Sequence, residues 1–357
     1  MDEQLKTKLT FSWQTFRAVT EELPGTSGHL RQMPEDFQVE EVPLYEPQGS
    51  GSHAYALVEK TGLTTRDLVL ALMREGLEEK SIGVAGLKDK HAVTKQWLSV
   101  PQRFSEALDS LDSLEGVTIL ERSRHKNKLA VGHLKGNYFK VRVREPDEGA
   151  LDKAEAILKT LETKGLPNYF GPQRFGRGGT NAVDGYNFIH GEWVPGGQRL
   201  KRFFVSALQS LLFNHLLNLR IERGIFDALI LGDWAKKHDT GGVFKVEDVN
   251  ESERAKRFEV SATLPLYGKK VKLSEAEAGE MEQEVLDYFG LRWVDFTSRK
   301  GDRRFSRLKL ENVSVHPEDD GYTLSFFLPK GAFATSVLRE VLKTDVDVAE
   351  TSEDVKA

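Results

Sequence analysis

The pattern of hydrophobic and polar residues predicts strands toward both ends of the chain. Residues 53–60 (HAYALVEK) and 95–100 alternate with the period of two that is typical of half-buried strands. Residues 322–328 (YTLSFFL) form a short apolar run that predicts a buried strand. Residues 128–145 are predicted to form a β-hairpin, with the Lys-Gly-Asn string at 135–137 as its turn.

Helical spacing of hydrophobic residues predicts four helices, most of them in the middle of the chain. Leu68, Leu72 and Leu77 follow this spacing in the first helix, and Gly165 stands at the C-cap position after the second. His215 lies on the apolar stripe of the third, where we interpret it as a core histidine and not a ligand. Strand-rich ends around a helical middle predict an α+β fold with an insertion. The predicted helices cover residues 67–79, 151–164, 203–224 and 275–289.

Composition narrows the class of protein. A length of 357 residues predicts two domains or one domain with a large insertion, and 39% hydrophobic residues fit a globular chain. The chain has no cysteine, which excludes disulfides, thiolate zinc sites, iron–sulfur clusters and a cysteine nucleophile. No run approaches 18 apolar residues and the start (MDEQLKTKLT) has no apolar signal core, so we expect a cytoplasmic protein without a membrane partner.

Net charge gives a misleading impression of the binding partner. The formal charge is −5, but residues 345–357 contain five acids and one lysine and therefore carry most of the excess. Two stretches of the remaining chain are basic: residues 122–144 hold eight Lys or Arg and no acid, and residues 292–309 hold seven against two acids. They could bind phosphates, although solvated faces are the better interpretation of charge runs alone.

A glycine-rich segment at 170–181 (FGPQRFGRGGTN) resembles phosphate-binding loops but fails their motifs. Arg-Gly replaces the Lys and Ser/Thr of a P-loop, and Asn181 stands where a dinucleotide fingerprint needs its third glycine. Arg174 and Arg177 between the glycines could approach phosphates, but a tight turn leading into a helix is the better interpretation of this segment alone. The chain has no HExxH pair, and we predict no metal site.

The most unusual local chemistry surrounds Asp89 in the segment 86–97 (GLKDKHAVTKQW). This one acid stands among Lys88, Lys90 and His91, just before a predicted strand. In an extended chain Asp89 would point away from Lys88 and Lys90, so the lysines could hold phosphates while the carboxylate faces a pocket. An ordinary surface turn gives the same residues and is the better interpretation of this segment alone.

Five segments taken together resemble the TruD family of tRNA pseudouridine synthases. They occur in the family's order, which is far more specific than any single string. The segments are MPEDFQVE (33–40), GLKDKHAVTKQW (86–97), RHKNKLAVGHLKGNYF (124–139), PNYFGPQRFG (167–176) and GAFATSVLRE (331–340).

The resemblance implies an enzyme that isomerises a uridine of tRNA to pseudouridine, in bacterial members uridine 13 of the D-arm. It implies no metal and no organic cofactor, with tRNA as the partner. We expect the protein to be a monomer. Asp89 falls on the family's catalytic carboxylate, the nucleophile, and Arg31 on its ion-pair partner. Whether the carboxylate adds to the sugar or removes a proton from C2′ to give a glycal stays open.

Four residues fall on positions that line the uridine pocket of the family: Phe37, Asn137, Phe139 and Phe333. Phe139 stands where most other pseudouridine synthases have tyrosine. The base must be flipped out of the stacked arm, and aromatic faces can replace the lost stacking. Asn137 offers both a donor and an acceptor for the imide edge of uracil. Lys88, Lys90, His91, Arg174 and Arg177 become candidates for contacts with the RNA backbone.

The resemblance also implies domain bounds. Residues 1–164 and 309–345 are expected to form the catalytic domain, with a mixed, mainly antiparallel sheet flanked by helices. Residues 165–308 are expected to form the inserted α+β domain, and residues 346–357 a disordered acidic tail.

Two other functions remain as alternatives. The first is a catalytically inactive RNA-binding or RNA-chaperone protein on the same fold, although such a protein has no need for both Asp89 and Arg31. The second is a nucleotide-dependent enzyme that uses the loop at 171–179, which the failed motifs disfavour.

Overall fold

The chain folds into two compact units, each with its own sheet. The computed structural model describes residues 1–344, so the predicted acidic tail at 346–357 lies outside the described residues. The sheet unit comprises Thr26–Glu155 and Leu310–Ala334. The helical unit comprises Met1–Gly25, Ala156–Lys309 and residues 335–344.

These units differ in their bounds from the predicted domains. The helical unit includes the predicted insertion at 165–308, and it also takes in residues 1–25 and 335–344 from the two ends. The assignment of 165–308 as an inserted domain therefore stays a prediction, since compactness alone does not identify a domain.

The four predicted helices are present, with shifted ends. The first is shorter than predicted because Gly76 adopts a φ of +87° and ends it, while Leu77 reaches the same core as Leu68 and Leu72 from outside the helix. Gly165 ends the second as predicted, with a φ of +98° and an N–H that donates to the Leu161 carbonyl. The described helices are α1 (Glu3–Leu9), α2 (Thr65–Arg74), α3 (Ala150–Lys164), α4 (Asn181–Ile189), α5 (Gln198–Glu222), α6 (Glu251–Lys256), α7 (Ala276–Tyr288) and α8 (Ala334–Leu342).

The strands confirm the predicted α+β class. The predicted strands at 53–60, 95–100 and 322–328 are all present. The described strands are β1 (Phe37–Pro43), β2 (His53–Lys60), β3 (Gly83–Val84), β4 (Val93–Pro101), β5 (Val117–His125), β6 (Leu134–Arg144), β7 (Leu166–Pro167), β8 (Trp234–Lys237), β9 (Val243–Lys245), β10 (Val260–Leu266), β11 (Asp302–Phe305), β12 (Arg307–Leu308), β13 (Glu311–Glu318) and β14 (Gly321–Pro329).

The sheet unit is built on a mixed sheet of eight strands. Seven follow the order β13-β14-β6-β1-β4-β2-β5, and β3 pairs with β4. Only the β1–β4 pair is parallel, and the other pairs of this sheet are antiparallel. Helix α2 packs its Leu68 and Leu72 against Ala56, Val58 and Leu98 of the sheet. A mainly antiparallel sheet with a helix on it matches the expected catalytic fold.

The predicted hairpin at 128–145 is wrong. Residues 134–144 form one continuous strand, β6, which pairs with β1 and β14, whereas β5 pairs with β2. Gly136 lies inside this strand, where an added Cβ would collide with the Leu328 carbonyl oxygen. Glycine is needed here because the strands approach closely, and a turn is not the reason for it.

The helical unit surrounds the long helix α5, most of whose residues are buried. A small sheet in the order β11-β10-β8-β9 and the two-stranded pair β12-β7 belong to the same unit. Its terminal segments are joined by Glu340 of α8, which is buried and accepts hydrogen bonds from the amides of Val19 (2.9 Å) and Thr20 (3.1 Å).

The close approach at Gly136 can be tested by substitution. Gly136→Ala should destabilise the protein by about 2–4 kcal/mol, because the new methyl group meets a backbone carbonyl and the Phe327 ring, and neither can move freely. Urea unfolding followed by circular dichroism measures this loss. Gly197→Ala is the matched control, since no atom lies within 4 Å of its added Cβ, and it should cost less than about 1 kcal/mol. Equal stability of the two variants would contradict the continuous strand.

Candidate active site

The two charged residues singled out by the resemblance lie together in the sheet unit. Asp89 lies in the loop between β3 and β4, where residues 87–89 have no regular secondary structure. Its carboxylate lies 3.7 Å from the Arg31 guanidinium, and the two side chains are 43% and 15% exposed. The distance is that of an ion pair and exceeds a hydrogen bond, so the carboxylate oxygens keep free lone pairs beside a cation.

Arg31 is held in a constrained position. Its φ of +55° is in the left-handed region that residues other than glycine seldom adopt, which is typical of functional sites. The guanidinium lies 4.0 Å above the ring of Phe37. Burial lowers the pKa of Arg31 from its usual value, and the charge of Asp89 partly offsets this. Arg31 thus places a fixed, poorly solvated positive charge beside Asp89.

Asp36 fixes the backbone between Arg31 and Phe37. This buried carboxylate accepts hydrogen bonds from the Met33 amide (3.0 Å) and from Arg144 of β6 (2.7 Å). Burial acts to raise the pKa of Asp36, but the hydrogen bonds from Arg144 and Met33 outweigh it and the pKa is lowered. The Pro-Glu-Asp-Phe string is therefore a turn anchored to β6, and it delivers the Phe37 ring to the site.

A row of phenylalanines forms one side of the site. Phe37 and Phe139 meet edge to face with ring centres 6.1 Å apart, and Phe139 stacks on Phe326 of β14 at 5.4 Å. All three are buried. Phe37 and Phe139 were predicted from the resemblance, whereas Phe326 was not singled out. The rings pack on each other, so each supports the fold as well as the site.

Asn137 and Phe333 have different surroundings. Asn137 is two residues from Phe139 on β6 and shares its face of the sheet. Its Oδ1 is buried and has no hydrogen-bond partner among the described residues. Since buried polar atoms are nearly always paired, this acceptor is suited to a donor from a bound molecule. Phe333 is half-buried between β14 and α8, and within residues 1–344 its ring stacks on no other aromatic ring.

The Lys88 side chain forms an ion pair inside the fold. Its ammonium lies 2.9 Å from Glu41 of β1, and the side chains are 5% and 1% exposed. A lysine buried in this way has a structural partner, so we remove it from the candidates for phosphate contact. Lys90 and His91, by contrast, are exposed next to Asp89.

Further buried polar groups hold the same loop, and sequence analysis did not single them out. The Lys88 amide donates to Thr65 Oγ1 (2.8 Å), which in turn donates to Gln96 (2.8 Å), and Lys60 is buried beneath the loop. A signal for them exists in the sequence: Glu41, Lys60 and Gln96 are polar residues in phase with the buried positions of their strands.

The glycine-rich segment lies in the helical unit. It forms two short 3₁₀ turns, Pro172–Arg174 and Arg177–Gly179, and leads into α4. The structure therefore confirms a tight turn leading into a helix. Arg177 is exposed, and Arg174 is half-buried with its guanidinium over the rings of Phe170 (5.4 Å) and Phe203 (5.6 Å).

Several arginines of the two basic stretches are paired inside the fold. In the first, Arg122 pairs with Asp109, Arg142 with Asp320, and Arg144 with Asp36 and Asp320. In the second, Arg303 pairs with buried Glu282, and Arg307 is 1% exposed and donates to backbone carbonyls. Much of this charge thus has a structural role. It therefore supports neither a phosphate-binding surface nor a solvated face as the interpretation of a whole stretch.

Solved structures identify the class of fold. The chain superposes on the crystal structure described as tRNA pseudouridine synthase D (TruD) from Methanosarcina mazei with a TM-score of 0.76. The match covers 96% of this chain and 98% of that one at 24% identity, which establishes the fold. No helix within residues 1–344 is long and apolar enough to span a membrane.

Sequence comparison then gives the family. The profile of tRNA pseudouridine synthase D (TruD) matches residues 15–194 and 197–341. Relatives named tRNA pseudouridine synthase D are 51% identical in Thermus thermophilus (94% of this chain, 95% of the relative) and 45% identical in an Anaeromyxobacter species (94% and 98%). The chain belongs to the TruD family of tRNA pseudouridine synthases.

The buried Lys88–Glu41 pair gives a testable prediction for the loop. Lys88→Met should destabilise the protein by about 3–5 kcal/mol, because it leaves the Glu41 charge buried without a partner. Adding Glu41→Leu should restore most of the loss, since neither charge is then buried. Urea unfolding of both variants measures the two effects.

The control for this prediction is Lys80→Met. Lys80 forms a pair of similar length with Glu78 (2.8 Å), but both side chains are at least 70% exposed, and we expect a change of at most about 1 kcal/mol. A Lys88→Met protein as stable as this control would contradict a structural role for the buried pair.

Proposed function

We propose that this chain converts uridine 13 in the D-arm of tRNA to pseudouridine, with Asp89 as the catalytic carboxylate. The Arg31–Asp89 pair beside the phenylalanine row is the observation that carries the proposal, since it leaves a 43% exposed carboxylate next to a cation and close to aromatic rings. Membership of the TruD family supports the reaction, and the choice of uridine 13 follows from the resemblance to bacterial members. The monomeric state stays a prediction.

The reaction breaks the N1–C1′ bond of uridine and rejoins C1′ to C5, from which a proton is lost. Asp89 either adds to C1′ or takes a proton from C2′, and both routes need it ionised. Arg31, at 3.7 Å, places a positive charge beside the carboxylate while leaving its oxygens free for the substrate. This arrangement serves both routes.

Recognition of the base is proposed to use the phenylalanine row and Asn137. The flipped uracil would lie against Phe139, which Phe37 supports edge to face, in place of base stacking worth about 1–3 kcal/mol. The unpaired Oδ1 of Asn137 would accept the N3–H of uracil, and that hydrogen bond would satisfy a buried acceptor. Phe333 is proposed to cover the other face of the base, on the resemblance alone.

Contacts with the RNA backbone are proposed for Lys90, His91, Arg174 and Arg177. Arg174 has the strongest support among them. No carboxylate in residues 1–344 lies within ion-pair distance of it, although burial lowers its pKa. Arg304 shares the Phe170 ring with it at 4.2 Å, and burial and the Arg174 charge lower the pKa of Arg304 to about 10. A phosphate near this like-charged pair would relieve the repulsion.

The catalytic role of Asp89 predicts a large loss of activity on substitution. Asp89→Asn should slow single-turnover tritium release from [5-³H]uridine-labelled tRNA by about 10³-fold or more, since the amide neither adds to carbon nor accepts a proton. Stability should be preserved because the side chain is 43% exposed. Asp109→Asn, which removes another exposed carboxylate of the sheet unit, should keep the wild-type rate.

The same experiment separates the alternative function. A tRNA with cytidine at position 13 should release no tritium from its remaining uridines if the site is as proposed. Normal turnover by Asp89→Asn would refute the catalytic assignment. An inactive wild-type protein that still binds tRNA tightly would favour the RNA-binding alternative.

The phosphate contact of Arg174 predicts a change in salt dependence. Arg174→Met keeps most of the apolar stem but removes the charge, so the slope of log K against log [salt] for tRNA binding should fall by about 0.7–0.9. Filter binding at 50–300 mM KCl measures the slope. Arg257→Met removes an exposed arginine that already pairs with Glu259 and should leave the slope unchanged. Identical slopes for all three proteins would exclude Arg174 from phosphate binding.

A further inference from the structure

Lys60 is a fully buried lysine directly behind the proposed catalytic carboxylate. It is the last residue of β2 and is 0% exposed, in phase with the buried Ala54, Ala56 and Val58 of that strand. Its ammonium donates to the carbonyl of Asp89 (2.8 Å) and to that of Leu63 (2.6 Å). The Lys88 carbonyl lies at the limit of hydrogen bonding, 3.5 Å away.

Within residues 1–344 the Lys60 ammonium is stabilised by hydrogen bonds to backbone carbonyls and not by an ion pair. Within residues 1–344 no carboxylate lies within 4.0 Å of Lys60 Nζ, although the charges of Asp89, Asp67 of α2 and Lys88 act on it. Burial lowers the pKa of Lys60 to about 8, against which Asp89 and Asp67 act to raise it. Burying a charge is costly, and a neutral residue would fill the same space without that cost. The charge therefore calls for a functional explanation.

The backbone of Lys88 and Asp89 is held from two sides. On one side the Lys60 ammonium donates to the Asp89 carbonyl. On the other, Thr65 Oγ1 accepts a hydrogen bond from the Lys88 N–H (2.8 Å) and donates one to Gln96. The Asp89 carboxylate itself is 43% exposed, and its one ion-pair contact within residues 1–344 is the 3.7 Å contact with Arg31. Its position thus depends on the backbone that carries it.

We propose that Lys60 is a positioning residue of the isomerisation, which fixes the backbone of Asp89 from behind through its hydrogen bond to the Asp89 carbonyl. This inference rests on the proposed function, since it assumes that Asp89 reacts with the uridine. Fixing a reacting group before the substrate arrives is worth up to about 10²-fold in rate per ångström of displacement avoided. Lys60 touches no substrate in this role.

The proposal predicts a rate loss without an affinity loss. Lys60→Met fills the same space without the charge and should lower the single-turnover rate of tritium release by about 10- to 100-fold. The dissociation constant for tRNA should stay within twofold, because Lys60 is buried away from any RNA. Lys95→Met, in the adjacent strand β4 and paired with Glu40 and Glu59 at the surface, is the matched control and should keep the wild-type rate.

The pH profile distinguishes positioning by charge from simple packing. Above about pH 8 the Lys60 ammonium loses its proton, so the wild-type rate should fall on the alkaline side and approach that of Lys60→Met. The variant should lack this alkaline limb. The same limb in both proteins, or an equal rate at pH 7, would overturn the proposal.

A second variant covers the case in which Lys60→Met fails to fold. Thr65→Val removes the hydrogen bonds on the other side of the backbone of Lys88 and Asp89 and should lower the rate with tRNA affinity unchanged, whereas Thr65→Ser should restore it. A Thr65→Val protein with the wild-type rate would contradict positioning of Asp89 by its backbone. An inactive wild-type protein would instead refute the proposed function. The two failures are distinguishable, because the wild-type protein is active when only the positioning role of Lys60 is wrong.

Discussion

The site depends on attaching an irregular loop to a sheet through buried polar contacts. In the proposed reaction Asp89 has to be partly exposed to meet a substrate, and its loop offers little apolar surface of its own. The ion pair of Lys88 with Glu41, at 2.9 Å, supplies the attachment by joining the loop to β1 inside the sheet unit. Such a pair contributes more to a unique position than to stability, because most of its Coulomb energy offsets desolvation.

The same strand connects this loop with the aromatic part of the site. Among the described strands of this sheet, β1 and β4 form the one parallel pair. β1 lies between β4, which follows the loop, and β6, which carries Asn137 and Phe139. Phe37 at the start of β1 and Glu41 near its end lie on one face, since their spacing is even. One seven-residue strand thus fixes the distance between the charged and the aromatic sides.

The sequence patterns located the predicted helices and most of the predicted strands, but they did not predict correctly which strands pair with each other. Alternation located β2, and the motif resemblance located Asp89 and Arg31, because both signals are local. Gly136 was interpreted as a turn residue because Lys-Gly-Asn is typical of turns, whereas its actual role is set by a strand almost 200 residues away, where Leu328 leaves no room for a side chain. Lys60 was visible as a polar residue on a buried face, but its acceptors depend on loop geometry that no periodicity encodes.

The contact between Glu340 and the amides of Val19 and Thr20 has a consequence for synthesis. These groups are 320 and 321 residues apart in the chain, so the amides leave the ribosome long before their acceptor exists. At about 5–20 residues per second, the first segment waits roughly 15–60 s for its partner. The helical unit therefore completes its buried hydrogen bonding only when α8 is made, and a nascent chain arrested before that helix would keep two polar groups and their apolar surroundings open to other proteins.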